Sequence, residues 1–337
     1  MMAGSPMSTP RAWRVVRNAD GSVAGGAAAL GWDPEAEPGA GEAVVTVEAA
    51  GFNYKDALAC AGHPGVMRIS PLVPGIDAAG RLAHAAGGMP AGAAVVVTGN
   101  TMGESRDGAF ATHVRMPVEA ILPRPAGLTA RDAMALGTAG LTVLAACSRL
   151  DALGADSAGD WLVTGASGGV GMLAVARLAA AGRRVVACSR KPAAREALLG
   201  LGAAEVVAPP DLVAPGGKSL AKARWAGVVD TVGGPLLADV LRSVRGGGAV
   251  AAIGMAGGTD LVTTVHPFIL RGVTLAGIDA AAQLTQADRR RLWEELDAYW
   301  PAVRDRFPVT GLRLDEVGTW AARMLRGETV GRAVVAP

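Results

Sequence analysis

Two groups of residues have types and spacings that could do chemistry. The first is Gly165-Ala166-Ser167-Gly168-Gly169-Val170-Gly171, set between the apolar run Trp161–Thr164 and an Ala/Leu/Val-rich stretch that ends at Gly182. Glycines there let a chain turn tightly from strand to helix, approach a diphosphate closely and pack the helix on the sheet. The helix start offers unpaired N–H groups and the positive end of its dipole to an anion. The spacing is denser than Gly-x-Gly-x-x-Gly, so the legible strand and helix around it carry the inference, against a plain strand-to-helix turn that binds nothing. An NAD site places an acid about 20 residues further on to hold the ribose 2′-hydroxyl. Here that place reads Ser189-Arg190-Lys191. A hydroxyl and two cations suit a 2′-phosphate, which predicts NADPH; the alternative is a solvated basic turn. The second group is Asn53-Tyr54-Lys55-Asp56, between the apolar strand Ala43–Ala50 and a helix start. It reads either as a helix N-cap with surface residues or as a site at the rim of a sheet.

Two different kinds of scaffold must hold these groups. Strand signals at 13–17, 43–50, 72–80, 93–98 and 108–114 make the first part β-rich. After a small-residue helical stretch over 129–150, strand signals at 161–164, 184–188, 205–207, 227–231, 248–253 and 274–277 alternate with helices. That alternation predicts an α/β fold with one doubly wound parallel sheet of the Rossmann type. Amphipathic helices near 286–300 and 315–326 and a strand over Arg332–Val335 complete the chain. Arg289-Arg290-Arg291 falls on the first of these helices and reads as a solvated face.

The 337 residues suffice for about two domains. A net charge of +2 with scattered Lys and Arg gives no nucleic-acid face, and no run of 18 or more apolar residues is free of charges or turn formers, so no membrane span is expected. The first dozen residues contain no apolar leader core. Cys60, Cys147 and Cys188 are isolated and odd in number, as expected of reduced thiols in the cytoplasm. The only low-complexity feature is a polar turn, Pro209–Lys218.

Six motifs in order resemble the zinc-independent medium-chain dehydrogenase/reductases, in the quinone oxidoreductase-like branch and nearest its acrylyl-CoA reductase group. They are Asn53–Leu58, Pro74–Asp77, Gly137–Gly140, Thr164–Gly171, Asp230–Gly233, and Thr263–Val265 with Pro267–Arg271. The resemblance implies a β-rich, GroES-like substrate domain over 1–123 and 266–337 around a Rossmann domain over 124–265. It implies that Gly168, Gly169 and Val170 meet the diphosphate and Ser189 with Arg190 the 2′-phosphate, with Ser167 and Lys191 among the cofactor-binding residues. Thr138 and the Gly254-Met255 loop are expected near the nicotinamide. Asn53, Tyr54 and Asp56 are expected to line the catalytic cleft.

The implied reaction is NADPH-dependent transfer of hydride to the β-carbon of an α,β-unsaturated acyl thioester. Reduction of a quinone or enone without a thioester carrier is a second reading, and a non-catalytic NADPH-binding protein a third. For the first, Tyr54 is a candidate donor to the developing enolate, or packs on the nicotinamide, while Lys55 or Arg68 would meet a phosphate-bearing carrier. No metal is expected, because Ile76 stands where zinc-dependent relatives carry His and the cysteines do not cluster. The apolar strand Val273–Gly277 has an uncharged edge, which predicts a homodimer paired through it.

Overall fold

The computed structural model describes residues 11–155, 158–213 and 219–337. The reading of the first ten residues and the part of the Pro209–Lys218 turn beyond 213 lie outside them. Strands β1 (Arg11–Arg17) and β2 (Val23–Ala29) form an antiparallel pair, and β3 (Glu42–Phe52) runs into helix α1 (Tyr54–Cys60). β4 (Asp77–Leu82), β5 (Ala94–Thr98), β6 (His113–Pro117) and β7 (Leu122–Pro123) precede α2 (Ala130–Ala152). Strands and helices then alternate, with only a short 3-10 helix (Pro209–Leu212) among the described residues between β10 and β11: β8 (Asp160–Val163), α3 (Gly169–Ala180), β9 (Arg184–Cys188), α4 (Arg195–Gly200), β10 (Glu205–Val207), β11 (Trp225–Asp230), α5 (Gly234–Leu241), β12 (Val244–Ala252), α6 (His266–Arg271) and β13 (Thr274–Gly277). The chain ends with α7 (Gln286–Tyr299), β14 (Val309–Arg313), α8 (Val317–Leu325) and β15 (Arg332–Ala336).

These elements divide into two compact units. Among the described residues, the first holds those from Arg11 to Thr138, Thr285–Asp297 and Val309–Pro337. Its main sheet runs β14-β15-β3-β4-β5-β7, with β6 also paired to β3. Every described pairing in it is antiparallel except β14 with β15. Phe52 and Phe110 stack at 5.1 Å in a core of valines and alanines from β3, β4 and β5. The second unit holds Ala139–Leu284 and Ala298–Pro308. Its six strands are all parallel, in the order β10-β9-β8-β11-β12-β13. Strands covered on both faces need continuous apolar runs, and Leu162, Val186, Val228 and Val250 are fully buried at the middle of this sheet.

The boundaries differ from those expected at 123 and 265. Residues 124–138 belong with the β-rich unit, because the first turns of α2 bond to its interior through Met134, Ala135 and Thr138. Residues 266–284 belong with the parallel sheet, because β13 pairs with β12 from Thr274 to Gly277. α2 bends at Gly137, whose φ of 49° and ψ of −149° leave the helical region. A Cβ at Gly137 would run into the Asp77 carboxylate, so only glycine fits the bend. By length and composition α2 passes for a membrane span, but it is mostly buried, as a core helix is.

Candidate functional site

In the second unit the expected nucleotide residues all follow the C-terminal ends of parallel strands. β8 ends at Val163, and the turn 164–168 leads into α3, with Gly168 as an extended N-cap lacking a side-chain cap. The first N–H groups of this twelve-residue helix are therefore open to an external acceptor. A Cβ on Gly171 would collide with the Gly165 carbonyl, so glycine there lets the helix start pack against its own turn. Gly168, Gly169 and Val170 are half-buried, while Ser167 is buried beneath them. Asp230, at the end of β11, braces the turn: Thr164 Oγ1 donates to it at 2.6 Å and the Gly233 N–H at 2.8 Å. Burial pushes its pKa up, while the Thr164 hydroxyl and the Gly233 and Val232 N–H groups pull it back.

β9 delivers Ser189, Arg190 and Lys191. The Lys191 N–H donates to Ser189 Oγ at 3.0 Å, folding the three residues into a tight turn. Arg190 is exposed and Lys191 half-buried; burial, then the neighbouring Arg190 charge, lower the Lys191 pKa. Gly254 and Met255 follow β12, with Met255 exposed. The strand order reverses between β8 and β11, and in such sheets ligands bind outside the carboxyl ends at that switch point.

The first unit contains a buried polar cluster that holds part of the expected catalytic set. Asn53 caps α1, and its N–H donates to Asp56 Oδ2 at 2.7 Å. Asp56 Oδ1 accepts the N–H groups of Gly75 (3.2 Å) and Ile76 (2.9 Å). Asn53 Nδ2 donates to Asp77 Oδ2 at 2.8 Å. Thr138 donates twice to the same carboxylate, from its N–H to Oδ2 at 2.8 Å and from Oγ1 to Oδ1 at 2.5 Å. Arg332, at the start of β15, lies beneath: Nε donates to Ala135 O, Nη1 to Phe52 O and Asn53 Oδ1, and Nη2 to Met134 O, with Asp77 Oδ2 at 3.9 Å. Asp56 and Asp77 are fully buried and Arg332 is 3% exposed.

Two of the three residues expected to be catalytic, Asn53 and Asp56, hydrogen-bond within this cluster. Asp56 is sealed off with both oxygens taken by backbone donors, because an acid three residues after an N-cap folds back on it. Asn53 spends its amide on Asp77 and Arg332. Tyr54 alone of the three is exposed, 37%, on the first turn of α1. The Lys55 ammonium pairs with Glu104 at 3.1 Å, and Arg68 is exposed. Asp77 and Arg332 were missing from the expected site. The available signal was a charge inside an otherwise apolar strand, Gly75-Ile76-Asp77-Ala78-Ala79 and Arg332-Ala333-Val334-Val335.

Burial, and then repulsion from Asp77, push the Asp56 pKa up to about 7 against the backbone donors that favour its charge. An unfolded aspartate ionises near 3.8. Between these values the folded chain holds the extra proton, so this group's stabilisation is full below the lower value and is lost as pH rises through the higher one. The urea midpoint of the wild type is expected to fall relative to that of Asp56→Asn between about pH 4 and about pH 7. A difference that stays flat across the window would contradict this.

Among the described residues no three His, Cys, Asp or Glu side chains are placed to share a metal ion. Residues 39–126 match the family described as alcohol dehydrogenase GroES-like domain, and residues 169–298 the one described as zinc-binding dehydrogenase. Acrylyl-CoA reductase AcuI of Ruegeria pomeroyi is 39% identical over 297 residues, 88% of this chain and 90% of that protein. The yhdH oxidoreductase of Salmonella enterica, solved in complex with NADP, superposes with a TM-score of 0.89 at 36% identity, covering 97% of this chain and 99% of that one. The yhfP protein of Bacillus subtilis, solved with NAD bound, gives 0.87 at 35% identity, with 97% and 99% covered.

Proposed function

Because the chain belongs to the medium-chain dehydrogenase/reductase superfamily, in the branch that holds the acrylyl-CoA reductases, we propose that it is an NADPH-dependent oxidoreductase that reduces the activated carbon–carbon double bond of an α,β-unsaturated acyl thioester. The observation that carries the cofactor is the end of β9, where a hydroxyl and two cations replace the acid of an NAD site beside an uncapped helix start. The N–H groups of Gly168, Gly169 and Val170 would hold the diphosphate, and Ser189, Arg190 and Lys191 the 2′-phosphate. Thr138 and the Gly254-Met255 loop are assigned to the nicotinamide, which supplies the hydride when bound. Tyr54 is assigned to the negative charge that develops on the substrate carbonyl. Arg68 is left to meet the phosphates of a carrier, since Lys55 is paired.

The nucleotide preference is the sharper test, because one of the similar structures holds NAD and another NADP. Wild-type kcat/KM is expected to favour NADPH, and Arg190→Ala to reduce that preference about ten- to a hundredfold, the loss of one charge-assisted contact to phosphate. Equal use of both nucleotides by the wild type would overturn the assignment. Following NADPH absorbance with acrylyl-CoA, crotonyl-CoA, a simple enone and a quinone separates the thioester reading from reduction without a carrier.

Assembly as a homodimer is part of the same proposal. β13 stands at the edge of its sheet. Beside it Val262, Val265, Ile269 and Leu270 are 86%, 62%, 72% and 64% exposed, an apolar group that a monomer rarely presents. Light scattering at micromolar concentration is expected to give a dimer for the wild type and a monomer after Ile269→Asp with Leu270→Asp. A monomeric wild type refutes it.

A further inference from the structure

We propose that Asp77 is a positioning residue for the nicotinamide end of the cofactor, acting through Thr138, an inference that rests on the assignment of Thr138 to the nicotinamide made above. Asp77 has the geometry of a clamp. Thr138 reaches it through both its backbone N–H and its hydroxyl, one to each carboxylate oxygen, at 2.8 and 2.5 Å. Two bonds from one residue to one rigid carboxylate fix both where Thr138 sits and how its side chain is rotated. The clamp is itself held, by Asn53 Nδ2 at 2.8 Å and by the buried Arg332 guanidinium at 3.9 Å.

The place of the clamp favours this over a plain structural tie. A buried carboxylate is costly wherever it stands, and a simple junction between β4 and α2 would be served by backbone bonds or apolar packing at lower cost. Instead α2 breaks at Gly137, and only glycine leaves room there for Asp77 to reach Thr138. Helix, glycine and acid together present a single hydroxyl in one orientation.

That orientation has a chemical consequence. The Thr138 hydroxyl proton is committed to Asp77 Oδ1, so Oγ1 meets a ligand as an acceptor and not as a donor. An acceptor selects a donor. On a nicotinamide the donor is the carboxamide NH2 group, and the carboxamide oxygen would be repelled. Asp77 therefore sets which way the carboxamide points, and with it the angle of the ring, without touching the cofactor.

The test compares the dissociation constants of NADPH and of 2′,5′-ADP, which carries the 2′-phosphate and lacks the nicotinamide. Thr138→Val keeps the N–H bond to Asp77 and removes the hydroxyl; it is expected to weaken NADPH about tenfold, the effect of one lost hydrogen bond, and to leave 2′,5′-ADP within about twofold. Asp77→Asn is expected to do the same, and Thr138→Ser, which restores the hydroxyl, to bind NADPH as the wild type does. A purely structural role would shift both ligands together. Parallel shifts, or no shift in Thr138→Val, overturn the positioning role while leaving the NADPH assignment intact. Failure of the wild type to bind NADPH overturns both. Thr138→Val decides the matter alone where Asp77→Asn does not fold.

Discussion

Replacing Arg332 with methionine is expected to cost about 3–5 kcal/mol of folding stability, a large part of the 5–15 kcal/mol that holds a typical domain together. The side chain is 3% exposed and donates to Ala135 O, Phe52 O, Asn53 Oδ1 and Met134 O. Methionine fills a similar volume but leaves those acceptors without their donor, and it removes the cation beside the fully buried Asp77. Burial lowers the guanidinium pKa, and the nearby Asp77 and then Asp56 oppose that shift. Arg332→Lys is expected to recover only part of the loss. One ammonium supplies three donors from a single point and cannot span acceptors on β3, at the N-cap of α1 and on α2 as a planar fork does. Urea denaturation followed by tryptophan fluorescence measures the difference. A loss below about 1 kcal/mol in Arg332→Met would mean that the cluster relaxes and that its polar groups find other partners.

The contrast between these interior charges and the nucleotide turn explains what was legible in the sequence. The parallel sheet could be read almost strand by strand, because strands covered on both faces must be continuous apolar runs, and 205–207 and 274–277 fall where expected. The glycine turn was legible because its chemistry is local: strand, turn and helix lie within about 20 residues. β2 was not, since Val23-Ala24-Gly25-Gly26-Ala27-Ala28-Ala29 has no alternation of apolar and polar residues and reads as loop. β14, with Gly311 at its centre, was missed for the same reason. The polar cluster failed differently. Asn53 and Asp56 stand out as polar residues at a strand-to-helix junction, and their spacing is also that of a capping box, which both side chains form. Asp77, Thr138 and Arg332 come from β4, α2 and β15, and no local pattern announces that they meet. Their pairing follows from the antiparallel register of β3 between β4 and β15, which brings Gly51 opposite both Asp77 and Val334. Register of that kind is settled by the whole sheet and not by any one strand.

Replacing Tyr54 with phenylalanine is expected to lower kcat with acrylyl- or crotonyl-thioesters by about tenfold or more, while leaving the NADPH dissociation constant nearly unchanged. The expectation is sharpened by the loss of its companions. Asp56 is sealed from solvent and Asn53 is tied to Asp77 and Arg332, which leaves the Tyr54 phenol as the exposed proton donor of the three. Tyr299, the other tyrosine, is half-buried on α7 with its hydroxyl enclosed and without a hydrogen-bond partner among the described residues. Once hydride reaches the β-carbon, negative charge collects on the carbonyl oxygen and the α-carbon. A phenol placed at the oxygen stabilises that charge only as it forms, so its removal falls on kcat and not on cofactor binding. Loss of one such donor typically costs about 10²–10³ in kcat, whereas loss of a proton source that water can replace costs less. The size of the effect therefore separates the two roles. Because Tyr54 is exposed, the substitution leaves the core untouched and a folded variant is expected. An unaltered kcat would remove Tyr54 from the chemistry and leave a bound water to supply the proton.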